Sequence, residues 1–356
     1  MEKRGGRVRG KGEPMRIGVM TGGGDCPGLN AVIRAIVRVC HQGGDEAVGI
    51  RNGWAGLVQN LPTIPLDLNS VSGIIHRGGT ILGTSRTNPY KSRSTIRDLR
   101  IHFYGLGLDA LVVIGGEDTL GVAARLAKEK FPIVAVPKTI DNDLSNTDYT
   151  FGFDTACNTV MEAIDRLHTT AESHHRIMVV EVMGRHAGWI ALYAGIAGGA
   201  DLVLIPEIPV SINEVLKVLK MRQARGKYFS IVVVAEGAKL KGHSRIMKTE
   251  KKDEFGHKLF GGVAQLVEAE IARRTGFETR MTQLGHIQRG GSPTAFDRML
   301  GTRFGVKAVE LIRKGKFGYM ASLKGTEIVE VPISSAVGKL KLVDRELYRM
   351  ATNFFG

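Results

Sequence analysis

Three short segments place glycine, carboxylate and lysine where phosphate chemistry would need them. The first is Thr21-Gly22-Gly23-Gly24-Asp25-Cys26-Pro27-Gly28, lying between a β-branched run and a helix-length apolar segment that begins at Leu29. Glycines at a strand-to-helix turn let backbone N–H groups approach an anion, and the helix dipole adds favourable potential. A tight turn needing positive φ would use the same residues, and the segment lacks both the Walker lysine and a clean dinucleotide fingerprint. The second, Gly115-Gly116-Glu117-Asp118-Thr119, sets two adjacent carboxylates where phosphate would be expected, which suits a divalent cation as well as a helix N-terminus. The third, Pro137-Lys138-Thr139-Ile140-Asp141-Asn142-Asp143, spaces two aspartates by one residue, so that one could accept a hydroxyl proton while the other assists a metal.

Further along stand Ser173-His174-His175-Arg176, Met183-Gly184-Arg185, Glu236, Arg280 and His286-Ile287-Gln288-Arg289-Gly290-Gly291. Arginine forks bind phosphate oxygens in pairs, so arginines at otherwise apolar strand ends point to an anionic, phosphorylated substrate. Taken singly, the histidines serve structure more often than catalysis.

Short β-branched runs must position these segments. They cover residues 16–21, 47–50, 110–114, 133–136, 177–182, 202–205 and 230–235, each bounded by glycine or proline. Helical patterns over 29–41, 120–130, 155–171, 212–225, 260–274 and 295–313 alternate with them, which is the pattern of an α/β fold with parallel sheets. Residues 189–206 are apolar but broken by Gly198, Gly199 and Asp201, and read as a buried helix followed by a strand rather than a membrane span. Residues 239–258, rich in Lys, His, Asp and Glu, read as a surface loop, with a lid over the site as the sharper alternative.

With 356 residues and 43% hydrophobic content, two lobes are expected rather than one. Cys26, Cys40 and Cys157 are few and have no metal-ligand spacing, so reduced thiols in a cytoplasmic protein are expected, with neither disulfide nor zinc. The net charge is +14; residues 1–14 hold five basic against two acidic side chains, so most of the excess belongs to the body. This basic, glycine-rich tail is expected to be disordered, and no signal peptide or membrane span is visible.

Taken in order, TGGGDCPGLN, GGED, PKTIDND, VVEVMGR, AEG and LGHIQRGG closely resemble the 6-phosphofructokinase family, from about Met15 to about Lys314. The resemblance implies two Rossmann-like lobes: residues 15–152 plus about 289–335 for the phosphoryl donor, and 153–288 plus a C-terminal helix for the sugar phosphate. It implies Asp141 as the base at the sugar C1 hydroxyl, Thr139 steadying the transferring group and Asp143 supporting catalysis and the metal. Thr139, Ile140, Asp141, Met183, Gly184, Arg185, Glu236, His286 and Arg289 would hold fructose 6-phosphate, with Arg176 and Arg280 reaching in from a neighbouring subunit of a homodimer or homotetramer. Gly23, Gly24, Arg86 and Lys138 would meet the donor.

Members of that family that use ATP typically read GGDG and PGTIDND, whereas this chain has Asp118 and Lys138 at the two variable positions. Both resemble the pyrophosphate-dependent branch. The Asp118 carboxylate would repel an α-phosphate, and the Lys138 ammonium could neutralise departing phosphate; one charge pair at about 4 Å is worth roughly 1 to 4 kcal/mol. Glu117 stands where the family usually has an aspartate ligand for Mg²⁺, with Asp118 as the alternative ligand. The expected activity is therefore reversible phosphoryl transfer from pyrophosphate to fructose 6-phosphate. The competing expectations are an ATP-dependent 6-phosphofructokinase and a noncatalytic phosphosugar- or RNA-binding protein.

Overall fold

The computed structural model describes residues 13–242 and 262–356. The expectations for residues 1–12 of the basic tail, and for most of the loop at 239–258, lie outside them.

Eleven strands form two sheets among the described residues. The strands are β1 (Arg16–Thr21), β2 (Glu46–Ile50), β3 (Ile64–Leu66), β4 (Ala110–Gly115), β5 (Ile133–Pro137), β6 (Ile177–Val182), β7 (Leu202–Leu204), β8 (Ser230–Ala235), β9 (Thr279–Gln283), β10 (Tyr319–Lys324) and β11 (Glu327–Pro332). The helices are α1 (Leu29–Gln42), α2 (Trp54–Val58), α3 (Arg93–Gly105), α4 (Glu117–Lys128), α5 (Phe153–His174), α6 (Trp189–Ala197), α7 (Ile212–Ala224), α8 (Val263–Thr275), α9 (Ala295–Arg313), α10 (Ile333–Ala336) and α11 (Arg345–Thr352).

The larger sheet runs β11-β10-β5-β4-β1-β2-β3, parallel except for β2 with β3 and β10 with β11. The smaller runs β7-β8-β6-β9 and is wholly parallel. Parallel strands covered on both faces must be apolar throughout, and β4, β5, β6 and β8 are buried at every position. Helix α1 buries Leu29, Val32, Ile33, Ile36, Val37 and Cys40 while Arg38 faces solvent, the spacing of an amphipathic helix.

One apolar core runs between the sheets. It joins Ile17, Val112 and Val134 to Val180, Val203 and Val233 through Ala156, Val160 and Ile164 of α5 and Phe304 and Ala308 of α9. Helix α11 docks on the smaller sheet, where the Tyr348 hydroxyl donates to Val203 O at 2.9 Å.

The seven strands expected from sequence are present, and their bounds differ by one residue at most. Strands β3, β9, β10 and β11 and helices α2, α3 and α10 were not expected; the C-terminal helix implied by the resemblance is α11. Strand β9 has a single apolar residue, Met281, among polar side chains, and α3 buries only Leu99 and Phe103, so neither carries a clear apolar period. Helix α4 starts at Glu117 rather than at residue 120. Both acids therefore lie in its first turn, where the helix dipole favours negative charge.

Candidate functional site

Both sheets reverse their winding at a point that faces the same cleft. From β1 the chain runs outward through β2 and β3, then returns to β4 on the other side of β1, and ligands gather outside the carboxyl ends at such a point. The turns after β1, β4 and β5 carry the three acidic or glycine-rich segments. In the smaller sheet β6 lies between β8 and β9, and the segments leaving these strands carry Met183 to His186, Glu236, and Gly285 to Arg289.

The cleft is lined by Gly23, Gly24, Arg86, Glu117, Asp118, Lys138, Thr139, Asp141, Asp143, Met183, Arg185, Glu236 and Arg289, all anticipated from sequence, and by Gly116, Thr119 and His186, which were not. His186 directly follows Arg185, and its place beside a cleft arginine was the available signal.

In the larger sheet the turn after β1 is held by backbone groups. Gly22 N donates to Ile114 O at 2.9 Å, Gly23 N to Ser85 O at 3.0 Å, and the Thr84 hydroxyl to Gly23 O at 2.6 Å. The N–H of Gly23 is thus bonded within the protein although Gly23 lines the cleft, whereas Gly24 N donates to no backbone carbonyl among the described residues. A side chain at Gly24 would meet the Arg289 guanidinium, whose Nη1 would lie 2.5 Å from the new Cβ. Arg289 Nη1 also donates to Asp25 O at 3.2 Å, so this arginine, from the segment after β9, rests on the turn after β1.

Lys138 is 3% exposed and ties the turns together: its N donates to Gly115 O at 2.9 Å and its Nζ to Gly24 O. Burial pulls the ammonium down to about 8, with Arg289 acting in the same direction, against the opposing pull of Asp25 and Asp141.

The Thr139 hydroxyl accepts from Asp141 N at 3.1 Å, and the Thr150 hydroxyl donates to Thr139 O at 2.7 Å. Between the two aspartates, Asn142 takes a left-handed φ of 50°, and its Oδ1 accepts from Thr150 N at 3.1 Å. Ile140 is fully buried and belongs to the core, so it anchors this loop and does not line the cleft. Asp141 Oδ1 is buried without a hydrogen-bond partner among the described residues. Asp143 is pushed up to about 7 by burial and then by the charges of Asp141 and Glu117.

On the other wall, Glu236 is pushed up to about 7 by burial and by Asp141, partly opposed by Arg185. Gly237 brings the turn after β8 against the turn after β6: its N donates to Gly184 O at 3.1 Å, and a Cβ there would lie 2.0 Å from Arg185 O. Gly184 shapes this contact and does not line the cleft. Gln288, unflagged by sequence, is fully buried and fixes both segments, its Oε1 accepting from Met183 N at 3.1 Å and its Nε2 donating to Gly285 O at 3.0 Å.

Three expected substrate residues stand apart. His286 is exposed and outside the cleft. Arg176 precedes β6 at the end opposite Met183, and Arg280 pairs in register with Met178. At about 3.3 Å per residue the intervening strand places Arg176 roughly 20 Å from the cleft of its own chain. Both arginines pair with Glu278, each at 2.7 Å.

Among the described residues no group of three or more His, Cys, Asp or Glu side chains is arranged to hold a metal ion. Glu117 Oε1 accepts from Gly338 N at 3.3 Å. A second groove continues past Glu117 and Asp118, lined by Asn88, Tyr90, Gly121, Val122, Arg125, Val337 and Gly338. The Arg125 guanidinium lies 3.7 Å from the centre of the Tyr90 ring.

Residues 16–312 match the family model described as Phosphofructokinase. The chain is 56% identical over 344 residues to a Streptomyces coelicolor protein named pyrophosphate–fructose 6-phosphate 1-phosphotransferase, covering 96% of this chain and 100% of that one. It is 52% identical over 343 residues to a Mycobacterium tuberculosis protein named ATP-dependent 6-phosphofructokinase, covering 96% and 100%. A solved phosphofructokinase from Saccharomyces cerevisiae superposes with a TM-score of 0.79 at 32% identity over 96% of this chain, which spans 46% of the yeast chain.

Proposed function

This chain belongs to the phosphofructokinase family, and from that premise we propose that it transfers a phosphoryl group from pyrophosphate to the C1 hydroxyl of fructose 6-phosphate. The products are fructose 1,6-bisphosphate and phosphate, and the reaction runs in both directions. The observation that carries the donor assignment is Asp118, whose carboxylate stands where the cleft opens into the groove of Asn88, Tyr90 and Arg125. A nucleotide would have to pass its α-phosphate by that charge, whereas pyrophosphate ends before it. At an effective dielectric between water and protein, the repulsion is worth roughly 1 to 4 kcal/mol, or about one to three powers of ten in donor preference.

In this reading Asp141 takes the proton of the C1 hydroxyl as the oxygen attacks the terminal phosphorus in line. Thr139 steadies the group in transit, Arg86 and Lys138 balance charge on the donor, and Met183, Arg185, Glu236 and Arg289 hold the sugar phosphate. Hard carboxylate oxygens at Glu117 and Asp143, beside the unpartnered Asp141 Oδ1, suit Mg²⁺, which Glu117 would hold with Asp143 in support. When bound, the ion would offset charge on pyrophosphate. The larger sheet serves as donor lobe and the smaller sheet with α11 as sugar lobe. Arg176 and Arg280, too far to serve their own cleft, bind the sugar phosphate of a neighbouring subunit in a cytoplasmic homo-oligomer.

The test is turnover of fructose 6-phosphate with Mg²⁺ and either pyrophosphate or ATP, for the wild type and for Asp118→Gly. Turnover with pyrophosphate, and an ATP rate that rises at least tenfold in the variant, is the expected result. Wild-type turnover mainly with ATP sinks the donor assignment and leaves the family in place.

A further inference from the structure

Residues 335–343 run as a strap from the second groove along the loop at 142–148. The Asn146 side chain donates to Ser335 O, Leu144 bridges Leu340 in antiparallel fashion, and Gly338 N reaches Glu117. Farther along, Trp189 Nε1 donates to Lys341 O at 2.7 Å, and Glu207 Oε1 accepts from both Val343 N at 2.9 Å and Gly188 N at 3.0 Å. The strap therefore binds the acidic turns of one lobe to the start of α6 in the other.

Lys341 is its centre. Its backbone N donates to Asp143 O at 2.8 Å. Its Nζ donates to Asn142 Oδ1 at 3.0 Å, Thr147 O at 3.0 Å and Asp148 O at 2.8 Å, so all three ammonium protons go to one loop. The only ring near the ammonium among the described residues is Trp189, at 5.4 Å. Asn142 sits between Asp141 and Asp143 in a left-handed conformation that its side-chain bonds must hold.

We propose that Lys341 is a positioning residue for phosphoryl transfer, fixing from the C-terminal strap the backbone that aims Asp141 and Asp143. This deepens the function proposed above and rests on it for its kinetic arm. A shift of about 1 Å in a catalytic group can cost on the order of a hundredfold in rate.

The experiment compares wild type, Lys341→Met and Lys341→Arg by steady-state kinetics with pyrophosphate and by amide hydrogen exchange over residues 139–150. In Lys341→Met, kcat should drop about a hundredfold with KM for fructose 6-phosphate within about threefold. The loop amides should exchange at least tenfold faster, while those of β4 keep their protection. Lys341→Arg, which keeps the charge and donors, should recover at least a tenth of kcat. Unchanged loop exchange, or a Lys341→Met kcat within about threefold of wild type, overturns the assignment. So does a parallel change in kcat and KM. Should Lys341→Met not fold, Trp189→Phe removes the bond that seats the lysine carbonyl and shrinks the ring beside the ammonium; faster loop exchange there supports the proposal and unchanged exchange overturns it. A wild type inactive with pyrophosphate strikes the proposed function alone, since the exchange arm reads the strap without turnover.

Discussion

Replacing Asp141 with Asn preserves the shape of the loop and removes the base, so kcat should drop by about two to four powers of ten while fructose 6-phosphate still binds in calorimetry. Lys138 makes a pH prediction. Its ammonium is held down to about 8, chiefly by burial, and only the charged form can offset phosphate. The kcat/KM for pyrophosphate, which reports the free enzyme, should therefore fall as pH rises through about 8, and Lys138→Met should flatten that limb. An alkaline limb unchanged in the variant would remove Lys138 from the donor site. Most cleft residues were legible at this scale through the glycine, carboxylate and lysine segments and the family resemblance that those segments carry. Gln288 and Lys341 were not, since each acts through backbone groups far away in sequence, which spacing cannot reveal.

Helices α5 and α9 meet at a buried carboxylate. Asp297 is fully buried, and its Oδ2 accepts from Thr155 N at 2.8 Å and from the Thr155 hydroxyl at 2.5 Å. Burial pushes its carboxyl up from 3.8 to about 6. Below 3.8 the folded and unfolded chains are both protonated there; between 3.8 and about 6 the unfolded chain loses its proton first, so stability falls as pH rises and stays lower above. The effect is at most about 3 kcal/mol. Relative to wild type, Asp297→Asn should gain in Tm between pH 4.5 and pH 7, and a constant difference across that range would contradict the account. The six helices given bounds from apolar periodicity were readable at their ends to within about a turn. The edge strand β11, with Glu327 and Glu330 among half-buried neighbours, has the charged pattern that protects sheet edges and hides them from hydrophobic periodicity.

At the level of the whole molecule, the displaced Arg176 and Arg280 predict complementation between subunits. Arg176→Ala should raise KM for fructose 6-phosphate well beyond any change in KM for pyrophosphate. Subunits carrying Arg176→Ala, when mixed and reassembled with Asp141→Asn subunits, should regain activity that neither has alone, because some hybrid clefts combine an intact base with an intact partner arginine. No recovery in proven hybrids would confine these arginines to structural pairing with Glu278. The α/β class with parallel sheets was readable from alternating strands and helices, whereas two lobes were expected from chain length and from the family resemblance. The joining of both lobes by one core was not, since it depends on which faces of α5 and α9 meet which sheet.

The strap has a consequence for synthesis. The cleft draws on residues from Gly23 to Arg289, yet the loop that aims its aspartates is fastened by Lys341. A nascent chain on the ribosome can pair the parallel strands β1, β2, β4 and β5 early, but the acidic loop stays unfastened until residue 341 has left the exit tunnel. Catalytic competence should arrive late and abruptly during translation, and stalled chains that stop short of the strap should hold their sheets without working.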